Sequence, residues 1–107
     1  MMNFKNMMQQ AQQMQFKLQE MQEKLKDLLV EGTSGAGLVK VVMACSGDVK
    51  SIRIDPTLLT PADKETVEDL IVAALNNAHD AKEGRIKTET QNMMEQLGLP
   101  KDAKLPF

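Results

Sequence analysis

The sequence predicts an α+β fold in which two long helices flank an antiparallel β-hairpin or a three-stranded sheet. Apolar residues recur at steps of three and four through the first 28 residues, which indicates a helix. A block rich in β-branched residues follows and alternates at period two, as strands do. A second helical pattern then runs towards Gly98, and a chain of 107 residues fits a single domain over 1–107.

The first helix is expected over residues 3–30. Its apolar positions form an unbroken heptad seam: Phe4, Met7, Ala11, Met14, Leu18, Met21, Leu25 and Leu28. A helix of this length would be about 42 Å long, more than the roughly 34 Å diameter of a compact chain of this size. We therefore expect it to project as an arm. Its seam needs a partner, which would be the second long helix of the same chain or of a second copy.

The strands are expected within residues 38–55. One face of the first strand is apolar and consists of Val39, Val41, Met43 and Cys45. Residues 46–48 form a turn signal, and residues 49–55 then alternate with Ile52 and Ile54 on one side. A further short strand over residues 29–33 would complete a three-stranded sheet, because an isolated hairpin is barely stable in water.

The second helix is expected over residues 61–97. Thr60 suits the N-cap and Pro61 the first helical position. The apolar stripe that should cover the hairpin consists of Val67, Leu70, Ile71, Ala74, Leu75 and Ala78. This stripe thins between residues 81 and 92, where Gly84 allows a bend or break, and the distal half should project as a second arm. A short tail is expected over residues 98–107.

The composition of the chain limits the classes of function that the protein can have. The net charge is −2 and the sequence pI is about 5.4, so a role with nucleic acid must rest on local cations rather than on the overall field. A single cysteine excludes an internal disulfide and fits a reducing compartment. No apolar stretch approaches the roughly 18 residues that span a bilayer, and no apolar signal-peptide core follows the N-terminus. We expect a soluble cytoplasmic protein without a membrane role.

No convergent set of catalytic residues is evident. His79 is the only histidine, which excludes a multi-histidine metal site within one chain. Cys45 lies on the apolar strand face, where an inert packed thiol is expected. The glycines at 32, 35 and 37 follow a helix and feed a strand, the reverse of a phosphate-binding loop. We expect no enzyme activity, cofactor, metal or small-molecule substrate.

Cations are enriched in two parts of the predicted helices. The first nineteen residues hold Lys5 and Lys17 and no acid, and residues 82–87 carry three cations against Glu83 alone. Cations and amides on projecting helices are suitable contacts for phosphates. On composition alone, however, an ordinary solvated helix face is the favoured interpretation.

A family signature occupies residues 35–59, which read GAGLVKVVMACSGDVKSIRIDPTLL. Together with EDLIVAALNNA at residues 68–78, this block closely resembles the YbaB/EbfC family of bacterial nucleoid-associated proteins. The opening rich in Met and Gln and the Leu-Pro-Phe ending at residues 105–107 are also similar to that family. The tail departs from it, since family tails are often richer in Gly and Met.

The resemblance implies a tweezer-like homodimer that binds double-stranded DNA and has no catalytic activity. It also implies a place in the bacterial cytoplasm at the nucleoid, with an architectural or regulatory effect. The family's DNA contacts are attributed to the two long helices. On those helices we hypothesise that seven cations contact phosphates: Lys5, Lys17, Lys24, Lys26, Lys82, Arg85 and Lys87.

An alternative function stays open at this point. The protein could be an interaction module whose helical arms, rich in Met, grip a protein partner. The acidic pI favours this alternative slightly, whereas the family resemblance favours DNA more strongly.

Overall fold

The computed structural model describes residues 4–98. Its helices and strands, in chain order, are α1 (Phe4–Asp27), β1 (Leu29–Ser34), β2 (Val39–Ala44), β3 (Val49–Ile54) and α2 (Lys64–Gln96). The strands form one antiparallel sheet in the order β1-β2-β3. The predicted α+β fold is therefore confirmed, with three strands instead of a lone hairpin.

Helix α1 ends at Asp27, three residues before the predicted end. The prediction was wrong there because residues 29 and 30 enter the sheet, opposite Ala44 and Met43. Backbone hydrogen bonds fasten this end of the helix to the β2–β3 turn. The Ser46 N–H donates to the Leu25 carbonyl at 3.2 Å, and the Cys45 N–H donates to the Leu28 carbonyl at 2.8 Å. The sheet thus fixes the direction in which α1 leaves it.

Helix α2 lies across β1 and β2 and forms the core with them. The buried core residues are Val39, Val41, Met43, Ala74 and Ala78. The approach is closest at Gly32, where an added Cβ would lie 2.2 Å from the Ala78 nitrogen and 2.3 Å from the Ala74 oxygen. Only glycine therefore lets the helix backbone come this near to β1.

Two polar side chains fasten the same helix to the end of β1. The Ser34 hydroxyl donates to the Leu70 carbonyl at 2.5 Å, and the Asn77 amide donates to the Thr33 carbonyl at 2.8 Å. Both bonds use a backbone carbonyl as acceptor, so they depend on the position of the chain rather than on the rotamer of a partner. They set the angle at which α2 crosses the sheet.

Helix α2 starts at Lys64, after a short 3₁₀ turn at Pro61–Asp63, rather than at residue 61 as predicted. The Thr60 hydroxyl donates to the Asp63 carboxylate at 2.8 Å and makes no capping bond to the backbone. The helix then continues through Gly84 to Gln96 without the break that the sequence allowed there. Of the predicted tail, residues 99–107 lie outside the described residues.

We call the sheet with residues 64–81 the body, and α1 with residues 82–98 the arm. The two helices of the arm lie side by side: Lys24 contacts Glu89, while Gln12 and Phe16 share a groove with Leu97. They therefore run antiparallel, so one chain presents one paired arm and not two separate ones. The molecule measures 73 × 22 × 16 Å, and its radius of gyration is 19.6 Å against about 13 Å for a compact chain of this size.

Candidate nucleic-acid interface

The arm carries all seven predicted cations, but it presents them in different states. Four form ion pairs within the chain: Lys17, Lys24, Lys82 and Arg85. Lys26 and Lys87 are exposed, and neither forms an ion pair within residues 4–98. Lys5 is exposed near the start of α1. The structure thus separates cations that already hold a carboxylate from Lys26 and Lys87, which form no ion pair within residues 4–98.

The cluster at residues 82–87 does not form one surface. Lys82 is mostly covered, with 15% of its side chain exposed, and its Nζ lies 3.3 Å from the Glu83 carboxylate. Lys87 is exposed. Five residues correspond to about 140° around a helix, so the two lysines lie on different faces of α2. Because they are close in sequence, Lys82 and Lys87 were expected to act together. Helix geometry instead directs them to different sides of α2.

Glu89 is the centre of the ion pairs in the arm. Its carboxylate accepts a hydrogen bond from Lys24 Nζ at 2.8 Å and one from Arg85 Nε at 3.2 Å. The hydrogen bond from Lys24 holds the pKa of the Glu89 carboxyl below its usual range, and the bond from Arg85 adds to this effect, while desolvation opposes it. Glu89 therefore stays ionised and joins α1 to α2.

Sequence reasoning missed Glu89. The spacing of Arg85 and Glu89 was a local signal, because side chains four residues apart meet on a helix. The contact with Lys24 had no such signal, since 65 positions separate the two residues. Only the antiparallel pairing of the helices brings them together.

Amide side chains cover much of the arm beside these charges. A groove between the helices is lined by Gln9, Gln12, Gln13, Phe16, Lys17, Gln96 and Leu97. Amides offer both donors and acceptors, and α1 holds no acid before Glu20. The first half of α1 is therefore a neutral-to-positive surface rich in hydrogen-bond donors.

Methionines provide the apolar contacts of the arm. Met21 on α1 and Met93 and Met94 on α2 are buried. Towards the other end of α1, the seam residues Phe4 and Met7 are exposed, as are Met8 and Phe16 beside them. The seam is covered only where α2 runs alongside it.

A second uncovered apolar surface lies on β3. Val49 and Ile52 pair with Met43 and Val41 and so share the sheet face that α2 covers elsewhere. Because α2 lies over β1 and β2, these two side chains remain 46% and 45% exposed. The core is therefore incomplete along one edge of the sheet.

The residues considered for catalysis do not come together into a site. Cys45 is buried, and burial raises the pKa of its thiol. His79 is exposed on α2, with its Nε2 4.0 Å from the Glu83 carboxylate. Within residues 4–98, no three His, Cys, Asp or Glu side chains are grouped so that they could hold a metal ion. None of the helices in the same range is long and apolar enough to cross a membrane.

The chain is similar to a known protein family, to a bacterial relative and to a solved structure. Residues 1–97 match the model of the YbaB/EbfC DNA-binding family. A nucleoid-associated protein of Gluconacetobacter diazotrophicus is 41% identical over 107 residues, which cover all of both chains. The crystal structure of an uncharacterized protein from Helicobacter pylori is similar with a TM-score of 0.74 and 30% identity, and the match covers 88% of this chain and 99% of that one.

Proposed function

The chain belongs to the YbaB/EbfC DNA-binding family, and from this premise we propose that it binds double-stranded DNA as a homodimer through its projecting arms. It is a nucleoid-associated DNA-binding protein, and we assign it an architectural or regulatory effect on the bacterial nucleoid. We assign it no catalytic activity and no small-molecule substrate. Its place is the nucleoid, in the cytoplasm.

The observation that carries this proposal is the arm itself. It projects from the body, so a duplex can approach its cations and amides from the side. Lys26 on α1 and Lys87 on α2 offer exposed ammonium groups without an ion pair inside residues 4–98. Such groups neutralise phosphates and release counterions, which supplies affinity even to an acidic protein.

Contacts of this kind position a protein on DNA without reading its sequence. Ammonium and amide groups reach phosphate oxygens equally well along any duplex. Reading bases would require donors and acceptors that enter a groove and match base edges, such as an arginine set against guanine. The exposed Lys26 and Lys87 carry ammonium groups, which bind phosphate as point charges. We therefore propose binding through the backbone with little sequence preference.

DNA retardation across a salt series tests the proposal. We expect the protein to retard a duplex at 50 mM salt and its affinity to fall steeply towards 200 mM, because each neutralised phosphate contributes about −0.9 to the slope of log K against log salt. A parent protein that does not retard duplex DNA at about 50 mM salt would refute the proposed function.

Homodimer formation is the second part of the proposal. The exposed face of β3 supports it, since Val49 and Ile52 continue an apolar core that ends at the sheet edge. A second copy seated there would remove both side chains from water. Full burial of an exposed aliphatic side chain of this size stabilises by about 1.5–3 kcal/mol, so covering the exposed half of each contributes roughly 1 kcal/mol.

The mass of the protein in solution tests this interface. We expect the parent to be a dimer and Ile52→Asp to be a monomer at the same concentration. Ser51→Asp is the matched control, because Ser51 is the exposed neighbour on the opposite face of the strand, opposite Val42. A dimeric Ile52→Asp variant would place the interface elsewhere, and a monomeric parent would refute the homodimer.

A protein partner is the alternative that one observation favours. Phe4, Met7, Met8 and Phe16 leave apolar surface on α1 that a helix of another protein could cover. Methionine adapts to varied partners because its side chain is flexible and polarisable. A protein that uses its arm only in this way would not retard DNA at any salt concentration, so the salt series separates the two functions.

A further inference from the structure

Two cations from different helices converge on one carboxylate in the arm. Lys24 Nζ comes from the last turn of α1 and lies 2.8 Å from Glu89 Oε2. Arg85 Nε lies 3.2 Å from Glu89 Oε1 and comes from one turn earlier on α2. Each carboxylate oxygen is thus held by a separate positive group, as two oxygens of a phosphate would be.

The exposure of the three side chains shows which of them a ligand can reach. Glu89 is 11% exposed, whereas Lys24 and Arg85 are 57% and 46% exposed. The carboxylate therefore lies beneath the two cations, and the cations face solvent. An ammonium has three N–H donors and a guanidinium has five, so both groups keep donors for a second anion.

We propose that Glu89 competes with DNA phosphates for Lys24 and Arg85 and thereby weakens the grip of the arm on DNA. The inference rests on the proposed function, since it concerns the same DNA-binding surface. It gives the arm a built-in competitor: Glu89 partly neutralises two of the seven candidate cations, and these offer a phosphate only the donors that Glu89 leaves. The protein then holds DNA more weakly than its number of cations suggests.

A purely structural role for Glu89 gives a different expectation. Its two ion pairs join α1 to α2, so loss of the carboxylate would loosen the arm and weaken DNA binding along with stability. Competition predicts the opposite sign for binding, because the freed cations become available to phosphates. The direction of the change in DNA affinity therefore separates the two roles. Thermal unfolding of the same variants measures how much the Glu89 ion pairs stabilise the fold.

The test compares Glu89→Gln with Glu83→Gln. Both substitutions remove one negative charge from α2 at nearly constant size. Glu83 is the matched control because its close cation, Lys82, is mostly covered and gains little access to DNA. We expect Glu89→Gln to bind a duplex roughly fivefold more tightly than Glu83→Gln at low salt, the equivalent of an exposed ion pair worth about 1 kcal/mol. Its salt slope should be steeper by about one to two.

A double-mutant cycle with Lys24→Met sharpens the result. We expect this substitution to reduce DNA affinity more in the Glu89→Gln background than in the parent, because only there is Lys24 free of its competitor. Equal or weaker binding by Glu89→Gln than by Glu83→Gln, in a parent that retards DNA, would overturn the competition alone. A parent that does not retard DNA would instead refute the proposed function.

Discussion

The body and the arm are held together by different means. In the body, α2 lies so close to β1 that only a glycine fits at position 32, and Val39 and Val41 are fully buried. In the arm, the helices meet through methionines and through the ion pairs of Glu89. Packing in the body depends on backbone contact, whereas the arm depends on long, flexible side chains.

This difference indicates where stability and binding reside. A dry core with close backbone contact does not tolerate added volume, because its atoms have no room to move. Exposed ion pairs contribute little individually, and methionine side chains are flexible enough to adapt when a neighbour moves. The body should therefore set the global stability of the protein, and the arm should set its affinity for DNA.

The difference between body and arm does not hold if the protein tolerates Gly32→Ala. The added methyl group would lie 2.2 Å from the Ala78 nitrogen, so α2 must move away from β1. We expect a loss of about 3 kcal/mol in the free energy of unfolding, measured by urea denaturation, since overpacking costs 1–3 kcal/mol and here the clash is with backbone.

Gly84→Ala is the matched control for this prediction. Gly84 lies within α2, and a Cβ there would meet nothing within 4 Å. Alanine in an open helical position should stabilise the protein by roughly 0.5–1 kcal/mol. Opposite signs for the two substitutions would confirm that the close approach of helix and strand, and not glycine content, determines the effect.

Truncations in the two regions give the next largest effect. Val41→Ala opens a cavity in the body and should cost about 2 kcal/mol of global stability. Met21→Ala removes a buried contact of the arm. We expect it to reduce hydrogen-exchange protection of the α1 amides while the β2 amides keep theirs, because α1 can separate without unfolding the sheet. Equal loss of protection in both elements would show that arm and body unfold as one unit.

The sequence predicted much of the body because its signals are local. The alternation of Val39, Val41 and Met43 placed those side chains on the inner face, where all three are buried. The stripe that contains Ala74 and Ala78 likewise predicted the helix face that covers them. Such periodic patterns follow directly from the geometry of strands and helices.

The arm was harder to predict because its contacts join distant parts of the chain. The heptad seam gave the existence of α1 but not which helix would cover it, or over what length. Glu89 was not singled out by the sequence, because only the fold brings Lys24 beside it. Ion pairs between residues 65 positions apart leave no periodic pattern, so no reading of spacing could have found them.

Within the arm, free and paired cations should differ in their contribution to DNA binding. Lys26→Gln combined with Lys87→Gln removes two exposed ammonium groups that form no ion pair within residues 4–98. We expect the slope of log K against log salt to fall by about two per protomer, measured by DNA retardation. The matched control is Lys17→Gln with Lys82→Gln, in which both cations already hold a glutamate. Equal changes in slope for the two pairs would show that internal ion pairs do not limit binding.

The smallest expected effect concerns the pH dependence of the arm's ion pairs. Lys24 and Arg85 hold the pKa of the Glu89 carboxyl below its usual range. A carboxyl with a lowered pKa in the folded state stabilises the fold above its pKa in the unfolded chain, about 4.3 for glutamate. This stabilisation is lost as the pH falls through the lower, folded pKa.

Comparison of the parent with Glu89→Gln isolates this contribution, because all other carboxyls titrate in both proteins. Asp55, whose pKa is lowered by the hydrogen bonds from Thr57, therefore cancels in the difference. We expect the parent to be more stable in urea denaturation by no more than about 1 kcal/mol at pH 7, with the difference shrinking as the pH falls through the lowered, folded pKa of Glu89. Glu83→Gln, an exposed charge change on the same helix, is the matched control. A difference that stays constant throughout acid titration would mean that packing around Glu89, and not its charge, holds the arm together.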